Sequence, residues 1–228
     1  MSSAVMRLLD RVHLLAAMLP LCASSAVAQG DTARVLEPVS QQWRAGIFVG
    51  VAHNSPLSKN LGATPGRDHV FVGLQAVTSV VRLADVSISY GAQLLPLVAI
   101  RGRSVPLSYI GPTNPDGTLP GPDVTYAVGA SPFGLEVAAP LGGRVRAYGA
   151  AAAGALLFTR PFPVPEARRL NFTLEYGGGV LVRSGRDRWI QLGYKYHHLS
   201  NAYTAKLNPG LDANVFYAGY EWSVRLPR

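Results

Sequence analysis

Residues 194 to 212 read YKYHHLSNAYTAKLNPGLD. Two of the chain's five histidines, His197 and His198, stand just before Ser200 and Asn201, and Asp212 lies twelve residues past the serine. A serine hydroxyl is a weak nucleophile until a base takes its proton, and imidazole is the side chain that does so near neutral pH. A carboxylate on the other ring nitrogen holds the tautomer and stabilises the imidazolium. These residue types together would make an ester-hydrolysing centre. His198 would be the base, Ser200 the nucleophile and Asp212 the orienting acid, with the amide of Asn201 donating to the oxyanion. The same stretch also fits a polar hairpin, since H-x-S is a common pattern on a strand and Asn-Pro-Gly is an ordinary turn. Which reading holds depends on where each side chain points, and so on the elements that carry it.

The first 28 residues do not belong to those elements. Arg7 and Arg11 precede an apolar run from Val12 to Leu21, and Ala26-Val27-Ala28 forms a small-x-small site before Gln29. This is the pattern of a secretory signal peptide cleaved after residue 28. It leaves residues 29–228 as a single domain, long enough for a sizeable core. The segment contains the only cysteine, Cys22, so the mature chain does not rely on disulfides. It also contains two of the 21 Lys and Arg and one of the 13 Asp and Glu, leaving 19 against 12, a net charge of +7. For an exported chain without a nucleic-acid motif, a basic surface points to an anionic membrane surface rather than to nucleic acid.

The dominant hydrophobic period along the mature chain is two. In LNFTLEYGGGVLVR, Leu170, Phe172, Leu174, Tyr176, Val180 and Val182 alternate with polar or small residues; WIQLGYKYHHLS and NVFYAGYEWSV behave alike. Eight segments read as strands: 42–52, 69–82, 86–98, 124–138, 144–159, 170–183, 188–200 and 211–225. The fourth changes phase near Ser131-Pro132, which predicts a bulge; the fifth is so rich in alanine that a short helix competes with a strand there. The connections alternate between long (53–68, 99–123, 160–169, 201–210) and short (LAD, APLGG, SGRDR). The run nearest to a spanning helix, the apolar AYGAAAAGALLF at 147–158, falls short of the ~20 residues one needs. This pattern predicts an all-β fold: an eight-stranded antiparallel transmembrane β-barrel of outer-membrane type, with its short turns in the periplasm. A soluble lipocalin-like barrel would alternate in the same way but turn its apolar face inward. Glycines and the charges Glu175, Lys195 and Glu221 on the other face, with Tyr and Trp ending the apolar one, favour the membrane form.

Alternation then assigns directions. His198 and Ser200 share the parity of Tyr194 and Tyr196 and face outward, as does Asp212 with Phe216 and Tyr220. His197 faces the lumen, with Glu175 and Lys195 nearly level there and expected to pair, Glu221 extending the network. If Ser200 pairs across the hairpin with Asp212, His198 lies on the diagonal, about 7–8 Å away. The ten-residue connection does not determine that register.

YKYHHLSNAYTAKLNPGLD resembles the signature of the bacterial lipid A 3-O-deacylase family, whose relatives are also described as acyloxyacyl hydrolase-like proteins. The resemblance is strongest over 188–225. The family's H-x-S-N falls on His198-Leu199-Ser200-Asn201 and its acidic member on Asp212, a position where relatives carry Glu or Asp. The resemblance implies an outer-membrane serine esterase that removes an ester-linked acyl chain from lipid A. Its substrate would be lipopolysaccharide in the outer leaflet; the sequence itself offers no metal site or cofactor motif and leaves a homodimer open. An outward-facing site makes sense only for such a lipid substrate. Basic residues of the long connections (Lys59, Arg67, Arg101, Arg103, Arg160, Lys206) would meet the lipid phosphates. The other class left open is a non-catalytic barrel with a structural or hydrophobic-ligand-binding role.

Overall fold

A computed structural model of the chain describes residues 42–56, 64, 66–102 and 123–225. The signal segment, Lys59, Arg103 and most of the Pro/Gly-rich connection at 108–123 lie outside the described residues. Alternating apolar and polar residues set the backbone extended, and eight antiparallel strands follow: β1 (Gln42–Ala52), β2 (Asp68–Leu83), β3 (Val86–Gly102), β4 (Asp123–Gly142), β5 (Val145–Phe158), β6 (Leu170–Gly185), β7 (Arg188–Ser200) and β8 (Leu211–Arg225). Each pairs with its sequence neighbour, and β1 pairs with β8 (Val49 opposite Ala218), closing the barrel. Closure leaves no unpaired sheet edge, the condition for spanning a bilayer with strands. The alanine-rich segment is a strand, paired on both sides with β4 and β6. The expected irregularity in β4 is a register shift between Ala130 and Phe133. Pro132 lies inside it, where a residue without an N–H cannot continue the ladder.

The outer surface is apolar along most strands: Ile47, Val49, Leu74, Leu135, Leu174, Leu192 and Phe216 are all exposed. In water such a belt would be far larger than the patches soluble proteins tolerate. Against lipid it is the expected covering, with Tyr220 and Trp222 at the short-turn end as interfacial residues. A lipocalin-like arrangement, which buries this face, is excluded. The protein is therefore an outer-membrane barrel.

The lumen is filled in layers. Toward the long connections it is apolar, with Phe48, Phe71, Leu156, Phe158, Leu199 and Leu211 buried together. The sequence places these on the same face as the polar residues, so that face is only partly polar. Below them lies the expected ionic cluster, in which Lys195 Nζ donates to Glu175 Oε2 at 2.9 Å and His197 Nδ1 bonds Glu175 Oε1 at 2.7 Å. Glu221 sits in a neighbouring cluster, accepting from Gln75 Nε2 at 2.8 Å and pairing with Arg44 Nη1 at 3.2 Å; Arg44 also pairs with Glu136. Partnering each charge offsets the desolvation that would otherwise make a filled lumen costly.

Candidate active site

The strand pair β7–β8 carries the residues singled out above. Leu199 and Leu211, both fully buried, face each other inside the barrel. Their pairing puts His198 directly opposite Asp212. The register thus differs by two residues from a pairing of Ser200 with Asp212. The offset brings the imidazole and carboxylate together: His198 Nδ1 and Asp212 Oδ1 are 2.7 Å apart, a hydrogen bond. Directly opposed side chains on an antiparallel pair have Cβ atoms only ~4.5–5.5 Å apart, closer than the diagonal. Asp212 is fully buried although its neighbours of like parity, Asn214 and Phe216, are exposed. A carboxylate taken from water in this way needs hydrogen-bonding partners, and His198 supplies one.

Ser200 ends β7, half-buried, two residues on from His198 on the same face. Its hydroxyl makes no hydrogen bond among the described residues. Across β6, Phe172 faces Ser200 and Leu174 faces His198, both exposed to lipid. The next pair toward the membrane centre is aromatic: Tyr176 and Tyr196 have ring centroids 5.1 Å apart. Tyr194 donates its hydroxyl to Asn214 Oδ1 at 2.6 Å. The His–Asp pair therefore stands at the head of an apolar wall running down the barrel's outer surface.

The connection after Ser200 is braced. Asn201 is fully buried; its backbone N–H donates to Asn208 Oδ1 at 2.8 Å and its Nδ2 to the Leu207 carbonyl at 2.7 Å. Thr204 returns two bonds to the Asn201 carbonyl, from N at 3.0 Å and from Oγ1 at 2.7 Å. Gly210, at φ 64°, has the left-handed backbone that glycine adopts without strain; its carbonyl accepts from Thr64 Oγ1 at 2.6 Å. These contacts hold the chain on both sides of the hairpin and so position Ser200 relative to Asp212.

The cations of the long connections do not all face the surface. Arg67 is buried, stacked 5.2 Å from the Phe162 ring centroid and donating to the Pro163 carbonyl at 3.2 Å. Burial, with Arg160 nearby, lowers its pKa to about 10. It braces the long-connection end of the lumen and cannot meet a lipid phosphate. Arg101 and Lys206 are exposed, and Arg160 pairs with Asp123 and Thr125. The geometry adds Arg168, exposed, whose Nε donates to the Thr204 carbonyl at 3.0 Å and thereby joins the 201–210 connection. Spacing alone missed it because the segment just before β6 carries no periodic signal. His197, by contrast, is inside with Glu175, as alternation predicts. Among the described residues no cluster of His, Cys, Asp and Glu could hold a metal ion.

Fold and site together define a class: an outer-membrane barrel with a histidine–carboxylate pair and a serine on its lipid face. The model of the family described as lipid A 3-O-deacylase (PagL) matches residues 109–221, a span that includes His198, Ser200, Asn201 and Asp212. Over that span, just under half of its length, the chain is similar to that family. The crystal structure of the outer membrane enzyme PagL superposes with a TM-score of 0.54 at 13% identity, covering 76% of this chain and 97% of that one, a likeness of fold. Neisserial surface protein A gives 0.44 at 12% identity, covering 80% and 97%, and the attachment invasion locus protein Ail of Yersinia pestis 0.42 at 13%, covering 82% and 100%. No curated protein matches in sequence.

Proposed function

We propose that the protein is a serine esterase that removes the acyl chain ester-linked at the 3-O position of lipid A. The observation that supports this most directly is the 2.7 Å bond between His198 and Asp212 on the outward face, with Ser200 beside it. In this reading Ser200 Oγ attacks the ester carbonyl carbon while its proton passes to His198 Nε2. Asp212 holds Nδ1–H and stabilises the imidazolium. The tetrahedral intermediate collapses with breakage of the bond to the sugar oxygen, which takes the proton from His198 and leaves as the free 3-hydroxyl. Water, deprotonated by the same imidazole, then cleaves the acyl-serine ester to give the fatty acid and restore Ser200. For Asn201 to donate to the oxyanion, its fully buried amide, held on the Leu207 carbonyl, must turn toward the lipid face when substrate binds. Apo geometry need not contain the Ser–His bond, which commonly tightens only with substrate present.

The substrate's position follows from the site's. A lipid of the outer leaflet presents its ester linkages just below its phosphorylated headgroup, level with the long-connection end of β7. Its acyl chains would lie along Phe172, Leu174 and Tyr196, and Arg168 and Lys206 stand where its phosphates would lie. Mass spectrometry of lipid A from cells with and without the protein tests the reading. Loss of one 3-O-linked acyl chain only in the presence of folded protein is expected; identical lipid A in both would remove the basis for an esterase.

A further inference from the structure

Five arginines line one cavity at the short-turn end of the lumen. Arg44, Arg82, Arg146, Arg183 and Arg186, with Asp187 as the one carboxylate among the described residues, surround about 210 Å³. That is far above the ~10–15 Å³ that admits one water. Alternation explains why they converge, since Arg44, Arg146 and Arg183 share inward parity with the buried Phe48, Tyr148 and Leu181. Their charges are only partly matched. Arg44 is held by Glu136 and Glu221. Arg146 spends Nη2 on neutral acceptors, Ser87 Oγ at 3.0 Å and the Ala138 carbonyl at 3.0 Å, and has three like-charged neighbours, Arg44, Arg82 and Arg183, against Glu136, which Arg44 already pairs. The guanidinium groups of Arg82, Arg183 and Arg186 form no hydrogen bond or ion pair with any described residue. Ser223 lines the same space, and its Oγ is buried and without a hydrogen-bond partner among the described residues. Like charges held together repel and destabilise the fold unless an anion lies between them.

We propose that this chamber binds a phosphate group, held by the guanidinium forks of Arg82, Arg146 and Arg183 with the Ser223 hydroxyl completing the cradle. Planar guanidinium donors match phosphate oxygens two at a time, which a scattered basic surface does not. The end with short turns faces the periplasm, and Trp222 and Tyr220 on the outer wall mark the level of the inner-leaflet headgroups. A phospholipid phosphodiester and free inorganic phosphate share the required chemistry. The chamber is at the far end of the barrel from Ser200, and the site is independent of the esterase reading.

The test is calorimetric titration of the folded, detergent-solubilised protein with inorganic phosphate and, separately, with glycerophosphoglycerol, at fixed ionic strength set by sodium chloride. Saturable binding at one site per barrel is expected. It should weaken about tenfold or more in Arg82→Gln/Arg183→Gln, which removes two charge-assisted contacts, and stay unchanged in the control Arg169→Gln, an exposed cation at the other end. The single variant Arg82→Gln, an exposed side chain of the same cradle, serves the same purpose should the double variant fail to fold. Binding of the diester, with co-purifying phospholipid in native mass spectrometry that the variants lose, identifies a headgroup site. Binding of inorganic phosphate alone identifies a free-phosphate site. No saturable binding of either, or equal weakening by the Arg169→Gln control, overturns the proposal.

Discussion

Exchanging His198 for asparagine and, separately, His197 for asparagine makes the same chemical change on opposite faces of β7. The structure sets the two costs apart. His198→Asn removes the proposed base and the 2.7 Å bond to buried Asp212. Loss of a triad member costs on the order of 10³-fold in activity or more. His197→Asn removes a 2.7 Å bond to Glu175 and an edge contact with Phe71, at 5.1 Å between ring centroids, but leaves Lys195 on Glu175 at 2.9 Å. A lost buried hydrogen bond costs about 1–3 kcal/mol of stability, and activity should stay within about tenfold because nothing on the lipid face changes. Release of fatty acid from lipid A in detergent micelles measures activity, and heat-modifiable gel mobility reports folding separately. An inactive, folded His197 variant beside an active His198 variant would refute the reasoning. It would mean that the reacting face of β7 opens to the lumen, where an outer-leaflet lipid cannot enter.

Asp212→Asn should reduce activity by an amount between those of the two histidine variants, with Asp212→Glu retaining more; activity equal to wild type in both would remove the orienting role. Lys195→Met should lower the urea midpoint of the folded barrel by the equivalent of about 3–5 kcal/mol, because it leaves buried Glu175 with His197 alone. Combining it with Glu175→Gln should recover part of that loss, and an additive double variant would show that the pair is not coupled.

The faces of the barrel were legible because alternation is a local property. The expected segments 42–52, 188–200 and 211–225 coincide with β1, β7 and β8, and His197 and His198 point as their parity requires. The hairpin register was not legible. A two-residue offset returns every side chain to its own face, so alternation cannot distinguish Ser200 or His198 as the partner of Asp212. Packing of Leu199 on Leu211 decides it, and only the folded hairpin reveals that contact. The layering of the lumen was hidden for a related reason. Phe48, Phe71 and Leu199 look like breaks in a polar face until the connection before β6 brings Phe162 into the same cluster. Arg67 was misread from its position in a connection, which says nothing of the Phe162 ring that covers it.

Ser200→Ala tests the central claim most directly. The side chain is small, half-buried and makes no hydrogen bond among the described residues, so the variant should fold with unchanged heat-modifiable mobility. Incubated with purified lipid A and followed by mass spectrometry, wild-type protein should remove one 3-O-linked acyl chain while folded Ser200→Ala leaves the lipid intact. Deacylation by the alanine variant at the wild-type rate would contradict the account, because the nucleophile would then lie elsewhere.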